Sequence, residues 1–158
     1  MTRMISVAPV RKTVTVEASQ NHAFEVFTAG ITRWWPATHT ILKVAPREHV
    51  IEPRAGGRWY QIGVDGSECD NGKVLIWEPP SRLVLVWQIN ADWQFDPDLH
   101  TEVEVRFTPE GQRTRVDLEH RNIERVGERA EAVRTAVDGP GGWTAILESY
   151  RAVASSGK

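Results

Sequence analysis

The spacing of hydrophobic positions changes twice along this chain, and the changes mark its elements. From Val10 to Glu17 (VRKTVTVE), Val10, Val14 and Val16 lie on one phase and Arg11, Thr13 and Thr15 on the other. That is the period of a half-buried strand built from β-branched residues. Ser19 then stands where a helix N-cap belongs, and Phe24, Phe27 and Ile31 recur at helical spacing. Trp34-Trp35-Pro36 ends the segment, because proline disfavours helix in the residue before it. Gly30 is expected to split it into two short helices.

From Val44 the pattern is all strand. Strands are expected at Val44–Pro53, from Arg58 to Val64, on a return run ending at Trp77, from Arg82 to Ile89, from Thr101 to Thr108 and from Arg113 to His120. The links are short: Ala55-Gly56-Gly57, Asp65-Gly66 read as a two-residue hairpin, Pro79-Pro80-Ser81, and Glu110-Gly111. Short links between successive strands imply antiparallel neighbours. Pairing through Asp65-Gly66 puts Tyr60 and Ile62 on the phase of Cys69 and Asn71, although Val74 and Ile76 look like their partners. A bulge at Asn71-Gly72 would shift the parity by one residue.

Gly127 to Val137 is polar enough for a short surface helix, and Asp138-Gly-Pro-Gly-Gly142 breaks the chain. Trp143, Ile146, Leu147, Tyr150 and Ala154 then recur at the spacing of one helical stripe. Seven strands, two short helices and a long C-terminal helix suit an α+β fold in which a curved antiparallel sheet packs its concave face on the long helix.

The 158 residues fit one domain over 1–158, with a core of about 10–154. A chain of this size buries roughly 70% of its unfolded surface and needs no staples. The net charge of −2 argues against a nucleic-acid or anionic-membrane partner. A single cysteine, Cys69, leaves no intrachain disulfide and fits a cytoplasmic setting. The first residues lack the apolar core of a signal peptide, and no run reaches the ~18 apolar residues that span a bilayer.

Seven tryptophans are an unusual load, and such wide apolar side chains either wall a hollow or fill it. Parity turns Val14, Val16, Tyr60, Ile62, Leu85, Trp87, Val103, Val105, Phe107, Val116, Leu118 and His120 inward, with Trp143, Ile146, Leu147 and Tyr150 from the helix. His120 sits on the phase of Val116 and Leu118, where it would act as acid or base, orient a polar head, or rest as a satisfied core histidine. Arg58 would either grip a carboxylate at the cavity mouth or pair at the rim with Glu52 or Glu78. Trp34-Trp35 and the loop Asn90 to His100, with Trp93 and Phe95, would form a lip or pack on the sheet edge. Trp59 and Trp77 are expected to face outward, and Glu102 and Glu104 to be solvated. The five histidines show no ligand spacing, no Gly-x-Ser-x-Gly elbow or Walker loop is present, and acidic neighbours disfavour a Cys69 thiolate.

The ordered set Ala23-Phe-Glu-Val-Phe27, Trp34-Trp-Pro36, Glu52-Pro53, Gly56-Gly-Arg-Trp59, Asp65-Gly66, Gly72-Lys-Val74, Trp77-Glu-Pro-Pro80, Thr101-Glu-Val103, Leu118-Glu-His120 and Gly142-Trp143 carries a resemblance. From about Val10 to Tyr150 the chain resembles the helix-grip fold of the START and Bet v 1-like superfamily, in the branch named after the activator of Hsp90 ATPase. The resemblance implies a cavity between sheet and long helix that accepts an apolar or amphipathic small molecule; the residues themselves point to no metal or organic cofactor. The residues expected to line it are Trp35, Arg58, Tyr60, Ile62, Leu85, Trp87, Phe107, Leu118, His120, Trp143, Leu147 and Tyr150. Two alternatives stand beside this binding role: a cofactor-independent cyclase or hydrolase using His120, and a co-chaperone-like interaction domain. An Hsp90-type partner is not expected, because the second domain of the co-chaperone is missing, and a homodimer is left open.

Overall fold

The computed structural model describes residues 7–156. Its strands are β1 (Val10–Val16), β2 (Pro46–Ile51), β3 (Arg58–Gly63), β4 (Glu68–Glu78), β5 (Arg82–Trp87), β6 (Thr101–Glu110) and β7 (Arg113–Arg121). The helices are α1 (Gln20–Thr28), α2 (Ala130–Asp138) and α3 (Trp143–Ser156), with 3-10 turns at Ile31–Arg33 and Ile123–Val126. All pairings are antiparallel in the order β1-β7-β6-β5-β4-β3-β2, so the first strand closes beside the last. This is the curled sheet of the helix-grip fold, with α3 burying Trp143, Ile146, Leu147, Tyr150 and Ala154.

Local signals place the short helices as expected. The Ser19 hydroxyl caps α1 by accepting from His22 N at 3.2 Å, and Gly30 separates α1 from the first 3-10 turn. The hairpin between β3 and β4 is one residue longer than the two-residue reading. Gly66 N donates to the Gly63 carbonyl at 2.9 Å, and Gly66 itself takes φ 85. Val64-Asp65-Gly66 therefore make a three-residue connection whose last residue needs the left-handed region.

The bulge lies at Asn71. Trp59 pairs with Gly72 and Tyr60 with Asp70, leaving Asn71 as the extra residue of β4. Gly72 stands between two inward-facing tryptophans, paired with Trp59 on one side and Trp87 on the other. A Cβ on Gly72 would come within 1.7 Å of the Val86 carbonyl oxygen, so only glycine lets the strands approach there.

The parity of β3 is the reverse of the expectation. Trp59 and Gln61 are buried, while Arg58, Tyr60 and Ile62 face the convex side. The Arg58 guanidinium lies 3.9 Å from the Tyr60 ring centroid and pairs with Glu68 and Asp70, both at 3.0 Å. Its side chain thus takes neither the cavity mouth nor Glu52 nor Glu78. Trp77 also turns inward, edge-on to Phe24 at 5.1 Å. Glu104, expected in solvent, is buried on the convex face among Arg82, Arg106 and Arg121, at 2.7, 2.8 and 2.5 Å.

Candidate functional site

The space beneath α3 is filled rather than hollow. Phe27 meets Tyr150 at 5.0 Å, Tyr150 meets Trp34 at 5.2 Å, and Trp35 and Trp87 meet Trp143 at 6.0 and 5.6 Å, measured between ring centroids. Leu85, Phe107, Leu118 and Leu147 complete this core, and the Tyr150 hydroxyl donates to the Ala23 carbonyl at 2.7 Å. These residues face inward as the pattern required, yet they contact one another.

His120 is sealed in that core at 0% exposure. The Thr101 hydroxyl donates to the Trp87 carbonyl, so it accepts from His120 Nε2–H at 3.0 Å. His120 Nδ1 in turn accepts from the Trp143 indole N–H at 3.1 Å. Both ring nitrogens are satisfied in one neutral tautomer, and burial pushes the imidazole pKa down to about 3. A group with no solvent contact and no free nitrogen has nothing with which to exchange a proton. His120 is therefore the satisfied core histidine among the three roles open to it, and not an acid or base.

An aromatic-walled space lies at one end of the grip. A pocket of about 270 Å³ is bounded by Trp35 and the loop Thr38–Ile41, by Asn71, Trp87 and Ile89 from the sheet, by Ile146 of α3, and by Trp93 at the rim. Of the twelve residues expected to line a cavity, Trp35 and Trp87 do so; Trp93 takes the lip position foreseen for its loop, while Trp34 is core. Thr38, His39, Thr40, Ile41, Asn71, Ile89 and Ile146 were not on that list.

One long-range bond and several local ones fix this rim. His39 Nε2–H donates to the Gly141 carbonyl at 2.6 Å, joining the 36–41 loop to the turn before α3, and His39 Nδ1 lies 3.2 Å from the Thr38 hydroxyl. The Trp35 indole donates to the His39 carbonyl at 2.7 Å, and the Trp87 indole to the Ile89 carbonyl at 3.1 Å. These walls therefore present ring faces rather than polar tips. Trp93 sits at φ 58 on a loop closed by the Ile89–Phe95 bridge, and the Asn90 side chain accepts from Asp92 N and Gln94 N. Asn71 is 1% exposed, and its Oδ1 has no hydrogen-bond partner.

Other chemistry is sparse among the described residues. Burial pushes the Cys69 thiol up, and Asp70 adds to this against a hydrogen bond with Gln61. No group of three or more His, Cys, Asp or Glu side chains is placed to hold a metal, and no helix is long and apolar enough to cross a membrane.

The whole-chain comparisons agree with this architecture. An anthrahydroquino-γ-pyrone synthase, Txn09, solved in complex with SUM, is 40% identical over 93% of this chain and 97% of its own, with a TM-score of 0.65. The self-sacrificing resistance protein CalC from Micromonospora echinospora is 36% identical over 94% of both chains, with a TM-score of 0.71. The Aha1 dimer from Colwellia psychrerythraea shares the fold at 16% identity, covering 96% of this chain and 99% of its own, with a TM-score of 0.64. No curated protein matches the chain. The family described as Activator of Hsp90 ATPase homolog 1-like protein matches residues 17–154, nearly the whole grip from α1 to the end of α3, and the chain belongs to that family.

Proposed function

We propose that this protein binds a small, planar, apolar or amphipathic molecule in the pocket at the open end of the grip. The observation that carries the reading is the wall of Trp35, Trp87 and Trp93 around about 270 Å³. Ligand pockets are typically apolar and aromatic with a few polar groups, and span roughly 300 to 1,000 Å³, so this one suits a small ligand. The 40% identical synthase and the 36% identical resistance protein support a small-molecule role. The test is titration with an apolar fluorescent probe, following tryptophan quenching. Saturable one-to-one binding that weakens in Trp87→Ala is expected; no saturable binding by the wild type would overturn the reading.

A second reading places a reaction in the same pocket, favoured by the 40% identity to a synthase. His39 is the histidine that lines this pocket, whereas His120 is sealed in the core. The interaction-domain reading has less support. Among the described residues, the large apolar side chains that are exposed are Val64, Leu75, Trp93 and Phe95, and of these only Leu75 belongs to a strand. The convex face is laced with ion pairs through Arg11, Arg82, Glu104, Glu119 and Arg121.

A further inference from the structure

We infer, resting on the binding reading above, that Asn71 is the specificity residue of the pocket. Its side-chain oxygen accepts a hydrogen bond from the ligand, so the pocket selects planar aromatic molecules that carry a phenolic or enolic hydroxyl.

A count of the polar groups around the pocket leads there. The indole N–H groups of Trp35 and Trp87 are spent on the carbonyls of His39 and Ile89. The Thr40 hydroxyl donates to Gln61 Oε1 at 2.8 Å and accepts from Leu42 N at 3.1 Å. His39 is held between Gly141 and Thr38. Against these, Asn71 Oδ1 is buried and has no partner in the protein. An orphaned acceptor costs about as much as a lost hydrogen bond, and one at a pocket wall calls for an occupant that supplies a donor.

The backbone shows how the amide comes to stand there. Asn71 is the extra residue of the β4 bulge, and its carbonyl accepts from Gln88 N at 2.9 Å. The bulge is locked by Gly72, which fits under the Val86 carbonyl only because it has no Cβ. Bulges re-aim single side chains in this way, and here the residue delivered beside Trp87 is an amide among rings. A ligand with a hydroxyl supplies the missing donor to the oxygen. A ligand of the same shape without one strands it.

The test uses 2-naphthol and 2-fluoronaphthalene, which are close in size and differ in the donor. The wild-type protein is expected to bind 2-naphthol about tenfold more tightly, the scale of one hydrogen bond to a buried partner. Asn71→Leu is expected to erase that preference while holding 2-fluoronaphthalene within about twofold of wild type. Asn71→Ala carries the same expectation and asks less of the packing. Equal wild-type affinity for the two probes, or a preference that survives both substitutions, overturns the role of Asn71 and leaves the pocket standing. Failure of the wild type to bind either probe overturns the binding reading itself.

Discussion

The Trp143 indole N–H donates to His120 Nδ1 across 3.1 Å, tying the head of α3 to the end of β7. The bond is buried at both ends, so breaking it strands a polar group rather than exposing it to water. His120→Leu leaves the Trp143 N–H without an acceptor, and Trp143→Phe leaves His120 Nδ1 without a donor. Each is expected to lower unfolding free energy by about 1 to 3 kcal/mol in urea melts. The double variant is expected to cost less than the sum of the two, which a double-mutant cycle reads directly.

Acid is expected to destabilise the fold through its buried histidines. Burial holds both His120 and His49 down to about 3, against 6.5 in the unfolded chain. Above pH 6.5 both states keep these rings neutral, and their contribution to stability is flat. Between about 6.5 and 3 the unfolded chain takes up protons that the folded protein refuses, so stability falls as pH falls. Each histidine contributes a slope of about 1.4 kcal/mol per pH unit in that window. Urea midpoints at pH 7.5 and pH 5 measure the drop, and His120→Leu is expected to reduce its slope by about half.

Gly72→Ala is expected to be among the most damaging single-methyl changes. The new Cβ would have to displace the Val86 carbonyl or pull β4 away from β5. Overpacking of this kind costs about 1 to 3 kcal/mol, occasionally more. The same shift moves Asn71 and Trp87, so probe affinity is expected to fall together with the melting temperature. Gly111→Ala, at a surface turn with open space around it, provides the comparison: strain at φ 67 but no clash.

Much of the fold was legible because it is periodic. Seven strands and the stripe of α3 follow from period-two and helical spacing alone, and the Asn71 bulge from a parity conflict within β4. The reversal of β3 was missed because the connection is one residue longer than the Asp65-Gly66 reading, and with the bulge where it was expected that one residue alone flips the parity carried back from β4. One signal was present in the sequence: Arg58 shares its outer face with Glu68 and Asp70, a charge match that Trp59 could not make. The pocket was less legible. The Thr38–Ile41 loop has no period, and its place is set by a bond from His39 to a residue 102 positions away. Whether tryptophans wall a hollow or plug one depends on packing that spacing does not encode, and here most of them plug.

Arg58 and Tyr60 provide the control for the site. Both stand on the convex face, away from the pocket, so Tyr60→Ala is expected to leave probe affinity within about twofold of wild type. Trp87→Ala removes a pocket wall and is expected to weaken binding tenfold or more, with a stability cost of about 3 to 5 kcal/mol. Fluorescence titration of the two variants separates them.

Trp93 is expected to show binding and stability pulling in opposite directions. It lines the pocket at 49% exposure and φ 58, a backbone region that bulky L residues occupy only under constraint. The Asn90 side-chain bonds and the Arg129–Asp92 ion pair at 2.6 Å hold the loop in that shape. Such strain costs on the order of 1 kcal/mol and persists where something is gained from it. Trp93→Gly removes the strain and little buried surface, so its unfolding free energy is expected to stay level or rise by up to about 1 kcal/mol. The same change strips the rim of its aromatic face, and probe affinity is expected to drop several-fold. Trp93→Ala keeps the strain and loses the ring, so it is expected to bind as weakly as Trp93→Gly while melting lower. If both variants bind like the wild type, Trp93 is a loop residue with no part in the site.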